Sequence, residues 1–315
     1  MKRIGNLYEK IISLDNLRLA DEKARRGKLR SYGVLLHDKN REANILALHE
    51  TLKNHTFKNS EYSTFTIYEP KERIIFRLPY YPDRILHHAI MNILEPIWVS
   101  VFTKDTYSCI KGRGIHGAMR NVKRAIKDRE NARYCLKIDI RKFYPSIDHD
   151  VLKTIIRRKI KCKDTLALLD TIIDSTDGVP IGNYLSQYFA NLMLAYFDHW
   201  IKEEKRVRNY FRYADDMVFL ASTKEELHIL LADIKKYLAA LKLTLKGNEQ
   251  IFPIAENRAD KHGRGLDFVG FVFYHNQTLM RKSIKQNFCR MAARLNKKLN
   301  ISARDYKQKL CSWYG

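Results

Sequence analysis

Residues 211–220, which read FRYADDMVFL, decide the fold of this chain. Two apolar, strand-length runs flank Asp215 and Asp216, and this pattern predicts a β-hairpin whose turn carries both carboxylates. Asp is a favoured turn residue, so an isolated Ala-Asp-Asp would most simply be an ordinary turn. The surrounding sequence decides between an ordinary turn and a catalytic pair.

A third carboxylate, Asp139, lies in the apolar run 136–140, which reads LKIDI and predicts another buried strand. Burying a charge there is costly unless a cation or a hydrogen-bond donor compensates it. Carboxylate oxygens are hard ligands that suit Mg²⁺. Adjacent strands would bring Asp139 close to Asp215 and Asp216. Two Mg²⁺ ions about 3.5–4 Å apart, bridged by such carboxylates, would activate a primer 3′-hydroxyl and stabilise a leaving pyrophosphate.

Composition restricts the partners. The 315 residues include 58 Lys and Arg against 35 Asp and Glu, a net charge of +23 spread along the chain. Such a charge attracts polyanions, and nucleic acid is the first candidate because neutralised phosphates release counterions. Anionic membrane and a basic ribosomal-type role stay open on composition alone. No apolar run of 18 residues is present, and the five cysteines form no CxxC pair. We therefore expect a soluble, cytoplasmic protein with reduced thiols.

Apolar periodicity predicts an α+β chain in which a sheet is flanked by helices. Amphipathic helices are expected within 8–55 and a two-stranded hairpin within 62–78. Further strands are predicted at 132–140, 210–221 and 265–274, and helices at 149–160, 183–202 and 224–241.

The tetrapeptide Tyr213-Ala214-Asp215-Asp216 resembles the tyrosine-x-Asp-Asp box of reverse transcriptases, and residues 139–144, DIRKFY, resemble their first acidic motif. Blocks in the family's order run from about residue 16 to residue 271. The resemblance implies a right-hand polymerase fold, an α+β fold with fingers, a palm of antiparallel sheet flanked by helices, and a small helical thumb. It implies RNA-directed DNA polymerase activity with two Mg²⁺ ions, for which Mn²⁺ can substitute. The implied catalytic residues are Asp139, Asp215 and Asp216, and the implied metal-binding residues are Asp139, Ile140, Asp215 and Asp216.

Two blocks resemble the family's contacts to the incoming dNTP. Residues 71–75, KERII, resemble the fingers hairpin, and the resemblance implies that Lys71 and Arg73 hold the triphosphate. Tyr144 matches the bulky gate that clashes with a ribose 2′-hydroxyl. Without the resemblance, the two basic residues would be read as a solvated strand face and Tyr144 as a core aromatic.

Residues 178–187, GVPIGNYLSQ, form a Gly/Pro-rich turn that opens a helix, which suits close approach by a template or a nucleotide. An ordinary helix entry would look similar. The resemblance implies that Ile181, Gly182 and Gln187 contact the dNTP. Retroviral and group II intron enzymes usually have Gln before this glycine and Ser-Pro at the end, whereas this chain has Ile181 and Ser186-Gln187.

This altered box resembles that of reverse transcriptases from diversity-generating retroelements, as do residues 16–28 and 108–117. In that group the altered box is associated with adenine-biased misincorporation. The resemblance then implies mutagenic retrohoming in a bacterial or phage-encoded element. The implied partners are a template RNA, the RNA/cDNA duplex, dNTPs and a small basic multimeric accessory protein, with no membrane.

Residues 266–271, LDFVGF, resemble the primer grip, and the implied grip residues are Phe268, Val269 and Gly270. A plain β-hairpin is the alternative. Lys246 follows a Leu-x-Leu segment, as does a lysine that acts as general acid in many family members, but it stays outside the predicted catalytic set. His87 and His88 are expected to pack rather than to bind metal.

Three parts are expected: an N-terminal helical extension or fingers at 1–60, fingers and palm at 61–275, and a basic helical thumb at 276–315. The sequence stops at Ser-Trp-Tyr-Gly within what looks like packing material, which leaves a C-terminal truncation open. The other enzymes to weigh are a group II intron, a retron and a phage-defence reverse transcriptase. A non-catalytic RNA-binding protein that kept the fold is the alternative outside enzymes, and the intact aspartates count against it.

Overall fold

A computed structural model describes residues 2–68, 72–297 and 301–314. The helices are α1 (Tyr8–Ile12), α2 (Leu14–Ala24), α3 (Tyr32–Asp38), α4 (Arg41–Lys53), α5 (Ile85–Val99), α6 (Gly114–Ala125), α7 (His149–Arg157), α8 (Lys163–Ile173), α9 (Ser186–Met193), α10 (Ala195–His199), α11 (Lys224–Ala240), α12 (Lys282–Asn296) and α13 (Ala303–Tyr314). The strands are β1 (Ser63–Ile67), β2 (Arg73–Arg77), β3 (Tyr134–Asp139), β4 (Asn209–Tyr213), β5 (Asp216–Ala221), β6 (Gln250–Pro253), β7 (Leu266–Phe268), β8 (Phe271–Phe273) and β9 (Thr278–Met280). None of the described helices is both long and apolar enough to cross a bilayer.

The central layer is a four-stranded antiparallel sheet in the order β4-β5-β3-β6. Strands β4 and β5 form the hairpin that residues 211–220 predict, and β3 lies against β5 with Asp139 opposite Asp216. The predicted convergence of the two acidic motifs on neighbouring strands is therefore confirmed.

Helices cover this sheet because their apolar residues recur at helical spacing. In α11, the hydroxyl of Thr223 caps the N-terminus by accepting from the Glu226 N–H, and Leu227, Ile234 and Leu238 are buried. This helix packs against β3, β5 and β6. It therefore closes one face of the sheet behind the strands that carry the aspartates.

Consecutive residues of β5 enter two different cores. Met217 and Phe219 pack in the larger core, which extends from the N-terminal helices through α5 to the sheet. Val218 and Leu220 pack in a smaller core with residues of β7 and β8. Successive strand residues point to opposite faces, so this sheet is covered on both sides. The larger core is continuous across residue 60, and the three-part division of the chain stays a prediction.

The fingers hairpin consists of β1 and β2, paired antiparallel as predicted. Residues 69–71 of its turn lie outside the described residues. The Phe76 N–H of β2 donates to the Ile181 carbonyl at 2.7 Å. Gly182 has φ +126°, and a β-carbon there would overlap the Phe76 carbonyl oxygen. The glycine thus permits the loop before α9 to lie directly against the hairpin.

Two predicted segments are divided in the structure. The run 265–274 is split into β7 and β8 because Val269 (φ +44°) and Gly270 (φ +87°) form a left-handed turn. The helix predicted at 183–202 is split into α9 and α10 because Leu194 leaves the helical region at φ −105°, ψ 2°.

Candidate active site

The three predicted catalytic aspartates lie at one end of the central sheet. Asp139 is the last residue of β3, and its strand partner Asp216 is the first residue of β5. Asp215 occupies the turn between β4 and β5, directly after Ala214, whose φ is +55°. A left-handed alanine is uncommon, and strained turns of this kind occur at functional sites.

The carboxylates are in an environment that disfavours their charge. Burial, and then the neighbouring charge of Asp139, raises the pKa of the Asp215 carboxyl well above its ordinary value. Burial also raises the pKa of Asp216, although Lys137 opposes that shift. The Asp216 Oδ1 atom is buried and has no hydrogen-bond partner. Repelling carboxylates with an unpaired buried oxygen fit a hard divalent cation.

The predicted metal set combines three carboxylates with Ile140, which can offer only its main-chain carbonyl. Ile140 is buried and forms an isolated antiparallel bridge with Leu245. Among the described residues, no three His, Cys, Asp or Glu side chains are already arranged as a metal site. The metal-binding role of these residues therefore stays a prediction that the donor chemistry supports.

Two lysines outside the predicted set compensate the aspartates. Lys137 Nζ lies 3.3 Å from Asp216 Oδ2, and Lys246 Nζ lies 3.1 Å from Asp139 Oδ2. The Lys246 N–H also donates to the Asp139 carbonyl at 2.9 Å. The sequence signal for Lys137 was its spacing, because residues two apart on a strand share a face and Lys137 precedes Asp139 by two.

A buried ion pair supports the turn that carries Asp215. Arg212 and Asp198 have fully buried side chains, and Arg212 Nε donates to Asp198 Oδ1 at 2.8 Å. Arg212 Nη1 donates to the Ala214 carbonyl at 3.1 Å. Arg212 is not among the predicted site residues, although a single arginine inside the apolar run 211–220 is a signal that the sequence offers.

A cavity of about 180 Å³ collects most of the predicted nucleotide contacts. Tyr144, Ile181, Gly182 and Gln187 all line it. The remaining lining residues are Arg84, Asn183, Tyr184 and Ser186. Arg84 is the one strong cation in this lining, and it is not among the predicted nucleotide contacts.

Charges from both the fingers hairpin and the aspartate turn act on the phenol of Tyr144. Burial, followed by Cys109 and Asp215, raises the pKa of the Tyr144 phenol to about 12, and Arg73 opposes this shift. Tyr144 therefore lies within electrostatic reach of Asp215, one of the predicted catalytic carboxylates, and of Arg73 in the fingers hairpin. Arg73 does not line the 180 Å³ cavity, and Lys71 lies outside the described residues.

The predicted primer-grip residues form the tight turn between β7 and β8. Phe268 is fully buried in the smaller core, whereas Val269 and Gly270 make the turn itself. The Gly270 carbonyl accepts from the Arg281 N–H at 2.9 Å. The hairpin is thus fixed to the palm on one side and to the start of α12 on the other.

His87 and His88 are buried, as expected for packing residues. His88 stacks on Tyr184 with ring centroids 4.3 Å apart. Burial lowers the pKa of His87 to about 3 and the pKa of His88 to about 4, so both imidazoles are neutral at pH 7.

Comparison with protein families gives a match to the model described as "Reverse transcriptase (RNA-dependent DNA polymerase)" over residues 66–248. Protein YkfC of Escherichia coli K12 is 24% identical over 266 residues, which cover 69% of this chain and 67% of YkfC. The Retron Ec73 reverse transcriptase of E. coli is 25% identical over 214 residues, covering 60% of this chain and 59% of that protein. The group II intron-encoded protein LtrA of Lactococcus lactis is 27% identical over 139 residues, covering 41% of this chain and 23% of LtrA.

Among solved structures, apo telomerase from Candida tropicalis superposes with a TM-score of 0.56 at 12% identity, covering 82% of this chain and 57% of telomerase. Telomerase from C. tropicalis in complex with a TWJ fragment of telomeric RNA gives a TM-score of 0.52 at 12% identity, covering 87% of this chain and 56% of that chain. At this identity the likeness concerns the fold. It confirms the right-hand arrangement expected from the sequence.

Proposed function

Since this chain belongs to the reverse transcriptase family and is an RNA-directed DNA polymerase, we propose that it copies a retroelement template RNA into cDNA at the Asp139, Asp215 and Asp216 centre. The observation that carries this proposal is the pairing of Asp139 with Asp216 at the strand ends, with Asp215 in the adjoining turn. Enzymes of this family use divalent metal ions, and the partly buried, mutually repelling carboxylates suit such ions.

The proposed metal ligands are Asp139, Asp215 and Asp216 with the Ile140 carbonyl. Two bound Mg²⁺ ions, or Mn²⁺ as a substitute, would neutralise charge on the attacking 3′-hydroxyl and the leaving pyrophosphate. Tyr144 would exclude a ribose 2′-hydroxyl by its bulk.

Lys71 and Arg73 of the fingers hairpin would hold the triphosphate by charge-assisted hydrogen bonds. Phe268, Val269 and Gly270 would orient the primer terminus for in-line attack. The basic helices after residue 276 would hold the duplex by its phosphates.

We further propose the diversity-generating subtype, with misincorporation biased to template adenines. Support comes from the lining of the 180 Å³ cavity, where Ile181 and Gln187 lie with the proposed gate Tyr144. Ile181 replaces the usual Gln, and an aliphatic side chain offers no hydrogen bond there. A site rejects a wrong substrate strongly when its buried polar groups would be left unpaired, so loss of a polar group weakens discrimination.

A group II intron or retron role is the second candidate, and the relatives favour it. LtrA and the Retron Ec73 enzyme are named for those two element classes. This chain spans about a quarter of LtrA and about three-fifths of the retron enzyme. The template RNA, the accessory protein and the biological outcome therefore belong to the proposal and need their own test.

Primer extension on poly(rA)/oligo(dT) with Mg²⁺ tests the centre. Asp215→Ala should reduce the rate by on the order of 10²–10³-fold or more, because a group that stabilises the transition state is lost. Asp233→Ala, whose carboxylate pairs with Lys205 away from the site at 2.6 Å, is the matched control and should keep the rate. Equal signals from the wild type and Asp215→Ala would contradict catalysis at this centre.

Sequencing of cDNA made on a template with all four bases tests the subtype. Errors should concentrate opposite adenine, and Ile181→Gln should reduce that bias by restoring the usual side chain. The assay is run with the chain alone and with the small basic accessory protein that the proposal implies. Errors spread evenly over the four template bases under both conditions would contradict the subtype and leave the polymerase assignment untouched.

A further inference from the structure

One lysine ammonium connects the aspartate centre to the β7–β8 hairpin. Lys137 Nζ lies 3.3 Å from Asp216 Oδ2 and donates to the Asp267 carbonyl at 2.6 Å. Asp216 is the first residue of β5, and Asp267 is the middle residue of β7. The two contacts therefore join elements that belong to different sheets.

The base of this lysine is rigid. Residue 137 lies in the middle of β3, where it is paired with Val218 on one side and with Gln250 on the other. Its side chain is 25% exposed and that of Asp216 is 32% exposed, so the ammonium is partly screened from water. A charge-assisted hydrogen bond in such a setting is stronger than one at an open surface.

The connection continues beyond the hairpin. Arg281 Nε donates to the Asp267 carboxylate at 2.8 and 3.0 Å, and the Arg281 N–H donates to the Gly270 carbonyl at 2.9 Å. Helix α12 begins at the next residue, Lys282. A continuous set of contacts thus runs from the catalytic end of the sheet through the proposed primer grip to the first helix of the proposed thumb.

We propose that Lys137 is a positioning residue, which sets the distance between the β7–β8 hairpin and the aspartate centre and so aligns the primer 3′-hydroxyl. This inference rests on the proposed primer-grip role of residues 266–271. A lysine that served only as a counter-ion for Asp216 would have no need of the Asp267 carbonyl. The two contacts together fix a distance, which neither contact fixes alone.

The expected signature is a loss of rate rather than of affinity. A displacement of about 1 Å between reacting groups can cost about 10²-fold in rate. Lys137→Met removes the charge and the donor together, and should lower the maximal rate of nucleotide addition about 10- to 100-fold. The dNTP concentration at half-maximal rate should change less than about threefold, since Lys137 does not line the nucleotide cavity.

Three more variants separate the contributions of the charge and of the hydrogen-bond donor. Lys137→Arg keeps the charge and the donors and should retain most of the rate. Lys137→Gln can donate to the Asp267 carbonyl without a charge, and its rate should lie between those of the wild type and Lys137→Met. Lys205→Met, which removes a lysine paired with Asp233 at 2.6 Å on another surface, is the matched control. Thermal unfolding of each variant shows whether a loss of rate follows a loss of fold.

A second readout needs neither metal nor catalysis. A primer with 2-aminopurine at its 3′ end is annealed to an RNA template and bound by each protein in EDTA. Lys137→Met should give higher terminal fluorescence than the wild type and Lys205→Met, because the terminal base is held less firmly.

The outcomes are distinct. Unchanged rate and unchanged fluorescence in Lys137→Met would overturn the positioning role. Equal falls in rate in Lys137→Met and Lys205→Met, accompanied by equal losses of thermal stability, would also overturn it. A wild type that binds the duplex without extending it would count against the proposed function. The fluorescence comparison would still decide the role of Lys137 in that case.

Discussion

Breaking the buried Arg212–Asp198 pair should destabilise the chain strongly. Both side chains are fully buried, and Arg212 Nε donates to Asp198 Oδ1 at 2.8 Å. Arg212→Met leaves the Asp198 carboxylate as a buried charge without its cation. Removing one partner of such a pair typically costs about 3–5 kcal/mol. We expect the free energy of unfolding to fall by that amount.

The second half of a double-mutant cycle tests whether the cost belongs to the pair. Asp198 also accepts from the Tyr210 hydroxyl at 2.6 Å and from the Thr106 hydroxyl at 2.8 Å. Asp198→Leu with Arg212→Met removes the unpaired charge but leaves the Tyr210 hydroxyl without its acceptor, at about 1–3 kcal/mol, while the Thr106 hydroxyl keeps the Thr103 hydroxyl at 3.3 Å as a partner. The double variant should thus remain destabilised, yet by at least about 2 kcal/mol less than the sum of the single variants.

Urea unfolding followed by circular dichroism measures the free energy of unfolding of Arg212→Met, of Asp198→Leu and of the double variant. Arg129→Met is the control, because Arg129 and Glu256 form a pair of similar length, 2.7 Å, at the exposed surface. Its loss should change the free energy of unfolding by less than about 1 kcal/mol. A loss in Arg212→Met no larger than in this control, or single effects that simply add in the double variant, would refute a buried-charge penalty at Asp198.

Three further predictions concern other parts of the chain. Gly182→Ala should lower the free energy of unfolding in urea by about 1–3 kcal/mol more than Gly112→Ala. Both glycines have positive φ, but only a β-carbon at residue 182 would overlap the Phe76 carbonyl oxygen. Equal losses in the two variants would contradict this. Tyr144→Ala should reduce discrimination against ribonucleotides about tenfold or more in single-nucleotide extension, whereas Tyr144→Phe keeps the bulk and should match the wild type. The stability difference between wild type and Asp21→Asn should shrink as the pH falls below about 4 in urea titrations, and a constant difference from pH 4 down to pH 2 would argue against the pairing.

The direction of the pH dependence expected for Asp21 follows from the groups around its carboxyl. Burial would raise the pKa of its carboxyl, but His37, Tyr80, Arg25 and Arg41 outweigh burial and hold the pKa well below its ordinary value. A carboxyl with a depressed folded-state pKa contributes stability above its unfolded pKa of about 3.9 and loses it as the pH falls towards the folded value.

The fold was predictable where local pattern and chemistry coincide. The two apolar runs that flank Asp215 and Asp216 predicted the β4–β5 hairpin, and the apolar run ending near Asp139 predicted its neighbour β3. The pattern was less informative at Leu194, where one helix becomes two without Gly or Pro as a signal. Val269 was similar, since a β-branched residue at positive φ contradicts local preference and is held there by the tertiary structure.

The predicted site was incomplete because its supports come from distant parts of the chain. Contact between Lys137 and Asp267 spans 130 residues and contact between Lys246 and Asp139 spans 107 residues, which no local spacing indicates. Arg212 was visible as a charge in an apolar strand, but its partner Asp198 lies on a helix. Acidic residues of a catalytic motif can be predicted from their residue type and their order in the sequence. The residues that position them can be identified only from the three-dimensional structure.

The alternation of β5 between two cores has a consequence for how this chain can vary. Met217 and Phe219 enter one core, whereas Val218 and Leu220 enter the other. Deleting or inserting a single codon within this strand would exchange the two sets and send every side chain to the wrong layer. Length changes should therefore be excluded from β5 in any lineage or mutant library. They should be tolerated in exposed connections such as 257–262, which no strand or helix includes.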